Sequence, residues 1–331
     1  MTLASSGTMI YSSRTALVHE VNSGTLHPGK ASACVAAFGT VIQILGRLQL
    51  YILCASFLLL SGCSMVRIAY NQADTLLAWM AHDYFDLDAA QRHDLSAHLD
   101  PLLKWHRQEQ LPEYARFLGE IKQRGQRTIT PEDATWIVEG AKARYRIVAQ
   151  KGAQDATELL MTLTPDNIRA LEKSFDKVNQ KFVREYKLEG SVEARKRARL
   201  ERTLKLIREW SGSLTHAQEA RIAALNDAIP SADHLRHQDR QRRQKEFLAL
   251  LNARQNKAEF SRALRTWLTD WEKNRPAELD AALNDVNEKR VALYLEVEHM
   301  LTPQQRTHVL QKIQDYIDDV NALMARGIAS R

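Results

Sequence analysis

Cysteine is nearly missing from this chain. Only Cys34, Cys54 and Cys63 carry a thiol among 331 residues, and none follows position 63. Residues 63–331 therefore cannot close a disulfide among themselves or build a cysteine-based metal centre. Glycine is also scarce, 13 in all, and it forms no loop whose amides could cradle a phosphate. His-Glu-x-x-His and Gly-x-Ser-x-Gly do not occur, which removes the familiar zinc-hydrolase and serine-hydrolase signatures. No cofactor or metal is expected. Runs of alternating apolar and polar residues bounded by turn signals are missing too, so strands are not expected.

Long apolar runs are confined to one place. Arg47 opens a stretch that continues through Leu48-Gln49-Leu50-Tyr51-Ile52-Leu53-Cys54-Ala55-Ser56-Phe57-Leu58-Leu59 and ends in Leu60-Ser61-Gly62-Cys63. A charge, an apolar segment and small residues in that order are the layout of an export signal. The segment is shorter than the roughly 20 residues a membrane-spanning helix needs, although the weakly polar stretch from Ala33 to Leu45 could lengthen it into an uncleaved anchor. The tetrapeptide resembles the bacterial lipobox. That resemblance implies cleavage after recognition of Leu60, Ser61 and Gly62, followed by acylation of Cys63. Ser64, standing where aspartate would signal retention in the sorting rule of enteric bacteria, implies the outer membrane, periplasmic face, with the inner membrane as the alternative.

Three segments follow from this reading: 1–40, a disordered or mis-called N-terminal extension rich in Ser, Thr, Gly and Ala; 41–62, a lipoprotein signal peptide; and 63–331, a helical body. The net charge of +6 changes little across the cleavage point. Residues 1–62 hold Arg14, Lys30 and Arg47 against Glu20, leaving +4 on the remainder. A mildly basic exported protein seldom meets nucleic acid, so nucleic acid is not expected as a partner. Membrane lipid through acylated Cys63, an envelope protein or an anionic polymer are the available ones. After Cys63 there is almost no Gly/Ser-rich tether, which places the body close to its membrane.

From Ala89 onward apolar residues recur at three- and four-residue spacing. The clearest stripes are Leu200, Leu204, Ile207, Trp210 and Leu214; Phe260, Leu264, Trp267, Leu268 and Trp271; and Val309, Ile313, Tyr316, Val320 and Leu323. The expectation is an all-α, multi-helix antiparallel bundle of about eight or nine helices. Pro and Gly place the breaks, at Pro101, Pro112, Gly125, Pro131, Pro165, Gly190, Pro230, Pro276 and Pro303. Several helix starts share one form: Leu87-Asp88-Ala89-Ala90-Gln91, Leu163-Thr164-Pro165-Asp166-Asn167, Leu214-Thr215-His216-Ala217-Gln218 and Leu301-Thr302-Pro303-Gln304-Gln305, with Ile129-Thr130-Pro131-Glu132-Asp133 a weaker fifth. This is the capping box, frequently with Pro at the first helical position.

The Leu-Thr-x-x-Gln form at Leu214–Gln218 and Leu301–Gln305 resembles the motif of Spy-type periplasmic chaperones, all-helical proteins that cradle unfolded clients. A broader resemblance rests on the lipobox, Tyr70-Asn71-x-x-Asp74, Tyr84-Phe85-Asp86-Leu87, Trp105-His106-Arg107 and Leu111-Pro112-x-Tyr114-Ala115-x-Phe117-Leu118. These stretches look like those of an uncharacterised family of proteobacterial helical lipoproteins, catalogued as a domain of unknown function. It implies no catalytic residue.

Among residues that could carry chemistry, Trp105, His106 and Arg107 form a candidate surface-binding cluster. Glu109, three positions after His106, could orient the imidazole as a hydrolase dyad would require. His82 with Asp86, and His234 with His237, stand at helical spacing but fall short of the three or four ligands a metal needs. Two basic tracts, Arg195-Lys196-Arg197 with Arg199, Arg202, Lys205 and Arg208, and Arg236 with Arg240, Arg242, Arg243 and Lys245, read as solvated helix faces or as contacts for anionic polymer. The resulting expectation is a non-enzymatic, membrane-anchored envelope lipoprotein acting by binding or scaffolding. A Spy-like chaperone and a hydrolase using His106 and Glu109 are the alternatives.

Overall fold

The computed structural model describes residues 65–329, with side chains described through 325. The extension 1–40, the signal peptide 41–62 and the tetrapeptide Leu60-Ser61-Gly62-Cys63 lie outside the described residues. The chain divides into two units, Met1–Gly62 and Cys63–Arg331, and everything that follows concerns the second.

Among the described residues every regular element is helical. A 7-residue α1 (Met65–Asn71) leads into α2 (Ala73–Phe85) and α3 (Ala89–Trp105), and a π-helical turn (His106–Gln110) joins α3 to α4 (Leu111–Gly125). Then come α5 (Pro131–Met161), α6 (Pro165–Glu185), α7 (Val192–Ser211), α8 (His216–Asp227), α9 (Asp233–Asn252), α10 (Lys257–Thr269), α11 (Ala277–Met300) and α12 (Pro303–Ala329). The protein is all-α, as its apolar spacing predicts. Its eleven helices of 12 residues or more exceed the eight or nine expected. The surplus comes from breaks made without proline or glycine. Ala253–Asn256 separates α9 from α10, and Asn256 caps the new helix by accepting from the amides of Ala258 and Glu259 at 3.0 and 3.2 Å. Pro101, by contrast, is carried inside α3.

The apolar stripes bury into three clusters. The largest joins Leu87, Leu95 and Leu99 to Leu159, Leu160, Leu163 and Leu171 and to Phe247, Leu251, Phe260 and Leu264. A second gathers Ile207, Ile222, Ile229 and Ala232 with Val286, Leu293 and Val297. The third, Leu111, Val320 and Leu323, lies between α4 and α12 with Tyr70 of α1 and Tyr114 packed against it. Each fully buried aliphatic side chain contributes about 1.5–3 kcal/mol. Helix α12 packs on α1, α4 and α7, so its stripe does run lengthwise along neighbours.

The repeated helix starts do more than cap. Asp88, Thr130, Thr164, Thr215 and Thr302 each accept from the amide three residues on. Four of these boxes then pair into two joints. Gln218 donates to Gln305 Oε1 at 2.8 Å and to the carbonyl of Met300, while Gln305 donates to Gln218 Oε1 at 3.0 Å and to the carbonyl of Ser213. Gln91 likewise donates to Asn167 Oδ1 and the carbonyl of Thr162, and Asn167 to the carbonyls of Phe85 and Asp86. In both joints each carboxamide reaches the carbonyl two residues ahead of the other helix's cap. All four amides are buried, where an unmade hydrogen bond would be costly. The fifth box is different: Asp133 sits under the guanidinium groups of Arg124 and Arg127 at 2.6 Å each, locking the turn between α4 and α5.

Candidate functional site

A π turn holds one residue more per turn than an α-helix, so it rotates the helix that follows and pushes side chains outward. Such turns frequently sit where a protein does something specific. Here the turn is His106–Gln110, and the sequence candidates Trp105, His106 and Arg107 stand at its entrance.

His106 lies between two phenols. Tyr70 of α1 is 2.8 Å from Nδ1, and Tyr114 of α4 is 3.3 Å from Nε2. A neutral imidazole has one donor and one acceptor, so one phenol donates to the ring and the other accepts from it. Burial pushes the imidazole below its ordinary pKa, which keeps it neutral. Burial raises both phenols in turn, against the opposing charge of Arg107 at Tyr70 and of Arg144 at Tyr114. Arg107 donates to Asn71 Oδ1 at 3.3 Å, and its guanidinium lies 5.3 Å from the Tyr70 ring centroid. One helical turn earlier, Arg67 meets the buried carboxylate of Asp319 on α12 at 3.1 Å.

These contacts form a clamp on the first helix. Helices α1 and α2 bury no residue fully, and Arg67, Tyr70 and Asn71 are among the half-buried residues that hold α1 in position. Glu109 is drawn elsewhere: its carboxylate accepts from Trp105 Nε1 at 2.7 Å. The structure therefore brings His106 and Arg107 together with Tyr70, Asn71 and Tyr114, and it separates His106 from Glu109. Imidazole and carboxylate do not form the dyad that a hydrolase using them would need.

The other candidates are absorbed by the fold. His237 stacks on Phe182, centroids 5.6 Å apart. Among the described residues no group of three or more His, Cys, Asp or Glu side chains converges. Lys196 pairs with Asp227 and Arg208 with Glu219 in the first basic tract. Arg202 covers Tyr186, and Arg199 donates to the carbonyl of Asn226. In the second tract Arg242 pairs with Asp239 and Glu246, Arg243 donates to the carbonyls of Trp267 and Trp271, and Arg240 lies over Phe182. Apart from Arg242, whose partners lie on its own helix, these cations tie their helix to a neighbouring segment.

Spacing could not have assembled the clamp, because Tyr70 and His106 stand 36 residues apart. The signal lay in the motif stretches Tyr70-Asn71, Trp105-His106-Arg107 and Tyr114, which converge on this one turn. Fold and site together define an all-helical protein whose polar centre joins helices. Residues 83–279 match a family of unknown function, DUF6279. The match covers more than half of the chain, and the protein belongs to that family. Comparison with curated proteins and with solved structures gives no match.

Proposed function

We propose that this protein is an envelope lipoprotein of the proteobacterial type, anchored through acylated Cys63, which works without catalysis by presenting its helical body to a partner near the membrane. The observation that carries the reading is the placement of Leu60-Ser61-Gly62-Cys63 directly ahead of a folded body whose first helix begins at Met65. No tether separates the two. The clamp around His106 supports a holding role, since both ring nitrogens face tyrosine hydroxyls and Glu109 is occupied by Trp105. Among the described residues no helix is long and apolar enough to cross a membrane, so attachment in this reading rests on the leader and the acyl chains. Ser64 favours the outer membrane, periplasmic face. The partner is an envelope protein or an anionic polymer.

The Leu-Thr-x-x-Gln stretches support a structural use ahead of a Spy-like one, because Gln218 and Gln305 are spent on each other inside a joint. The test of the anchor is Cys63→Ser. Fractionated envelopes should show the variant either uncut or released from membranes, whereas parent-like behaviour in both respects would overturn the reading. Crosslinking the acylated protein in intact envelopes then identifies what the body holds.

A further inference from the structure

Large apolar side chains are exposed at twelve described positions, and six of them fall within the first 16 described residues: Met65, Ile68, Leu76, Leu77, Trp79 and Met80. The other six are scattered from Val138 to Tyr294. Isolated exposed apolar residues are ordinary, but a contiguous group marks a contact surface. Met65 is 78% exposed and Trp79 61%, far more than partial packing would leave.

Five of the six, all but Leu77, fall on one side because the hydrogen bonding runs on through Gln72, although the Gln72 backbone itself (φ −110°, ψ 18°) leaves the helical range. The Gln72 amide donates to the carbonyl of Ile68, and the Leu76 amide to that of Gln72. At about 100° per residue, Met65, Ile68, Gln72, Leu76 and Trp79 share one stripe with Met80 on its flank, whereas Leu77 falls on the side of Tyr70. The stripe is roughly 20 Å long at about 1.5 Å per residue. The opposite side carries Arg67, Tyr70 and Asn71, which engage Asp319, His106 and Arg107. The clamp therefore fixes which face looks outward, and Asp83 closes the stripe at its far end.

We infer that this face lies in the surface of the lipid bilayer to which the chain is anchored, with Met65, Ile68, Leu76, Trp79 and Met80 reaching the boundary between headgroups and acyl chains. This inference rests on the acylation of Cys63 proposed above. Two peptide links separate Cys63 from Met65, a reach of about 7 Å, so an acyl-bearing Cys63 holds the start of the stripe at the lipid surface. A helix docked on a body through one side and apolar on its outward side lies flat there, and tryptophan favours that depth. Acyl chains bring the stripe to the bilayer, and the stripe in turn sets the orientation of the body.

The test uses the acylated mature chain in phosphatidylcholine vesicles, with acylation read from the intact mass. Cys63 is blocked by its acyl group and no other cysteine follows it, so single spin labels can be placed through Ile68→Cys, Leu76→Cys and Met80→Cys, with Glu288→Cys as the control. All four positions are solvent-exposed, and folding is not put at risk. Labels at 68, 76 and 80 should collide several-fold more with oxygen relative to an aqueous nickel complex than the label at 288. Ratios equal to the control in an acylated protein overturn the inference and leave the anchor standing. Spin–spin broadening confined to the stripe also overturns it, in favour of a second copy of the chain as occupant. An unacylated mass overturns the anchor reading and this inference with it.

Discussion

Two kinds of buried polar residue carry much of the specificity. The Gln218–Gln305 pair satisfies its amides reciprocally, so removing one partner strands the other together with the carbonyl it served. Gln218→Ala should cost about 1–3 kcal/mol, the penalty for an unsatisfied buried group. Thr215→Ala, which loses only the cap, should cost about 0.5–2 kcal/mol. The double variant Gln218→Ala/Gln305→Ala should fall short of the sum of its singles in urea unfolding, because both report one interaction. Full additivity would mean that the two amides act independently. His106 makes a different prediction. Its folded-state pKa is lowered by burial, so the unfolded chain takes up the proton first as the medium is acidified. The contribution is complete above the ordinary histidine value of about 6.5 and declines as pH falls below it. Replacing it by His106→Gln should flatten that part of the stability-versus-pH curve, read as thermal midpoints between pH 7.5 and 5.

Elements show where the sequence was transparent and where it was opaque. Helix starts were legible, since Thr-Pro and Asp/Thr-x-x-Gln fix a cap chemically whatever surrounds them, and each of the five boxes forms. That four of them would pair was not legible, because a carboxamide's second partner lies up to 92 residues away. The break at Ala253–Asn256 and the π turn went unseen for a related reason: neither contains proline or glycine, and tertiary packing decides both. The turn between α4 and α5 has its own pH signature. Arg127 and Arg124, with the Thr130 amide, hold the Asp133 carboxyl far below the usual aspartate range. Its stabilisation is present above the ordinary value of about 3.9 and is lost as pH falls through the lowered one. Asp133→Asn should therefore destabilise the protein at pH 7, and the gap from the parent should narrow on acidification below pH 4. The π turn can be tested by deletion. Removing the exposed Gln108 restores α-helical register and rotates Tyr114 and Leu111 by about 100° relative to His106. Amide exchange in Met65–Asn71 should then rise to the rate of an undocked helix while Leu159 and Leu160 stay protected. Unchanged protection of α1 would show that the clamp does not hold it.

At the scale of the whole body, the three apolar clusters do not follow the order of the chain. The largest draws on residues 87–171 and again on 247–264, and the second draws on 207–232 and then 286–297. Each therefore waits for a later helix, and the match to the family ends at 279, before α11 supplies Val286, Leu293 and Val297 and before α12 supplies Gln305. A fragment spanning residues 83–279 retains every fully buried member of the first cluster and loses three of seven from the second. At about 1.5–3 kcal/mol each, those three are worth up to about 5–9 kcal/mol, comparable with the whole stability of an ordinary domain, about 5–15 kcal/mol. Hydrogen exchange on the fragment should accordingly find α3, α5, α9 and α10 protected and α7 and α8 open, and extending it to residue 331 should close them again. Equal protection of α7 and α8 in both lengths would mean that Ile207 and Ile222 find enough cover without α11, and that the helices beyond residue 279 serve the surface in place of the core.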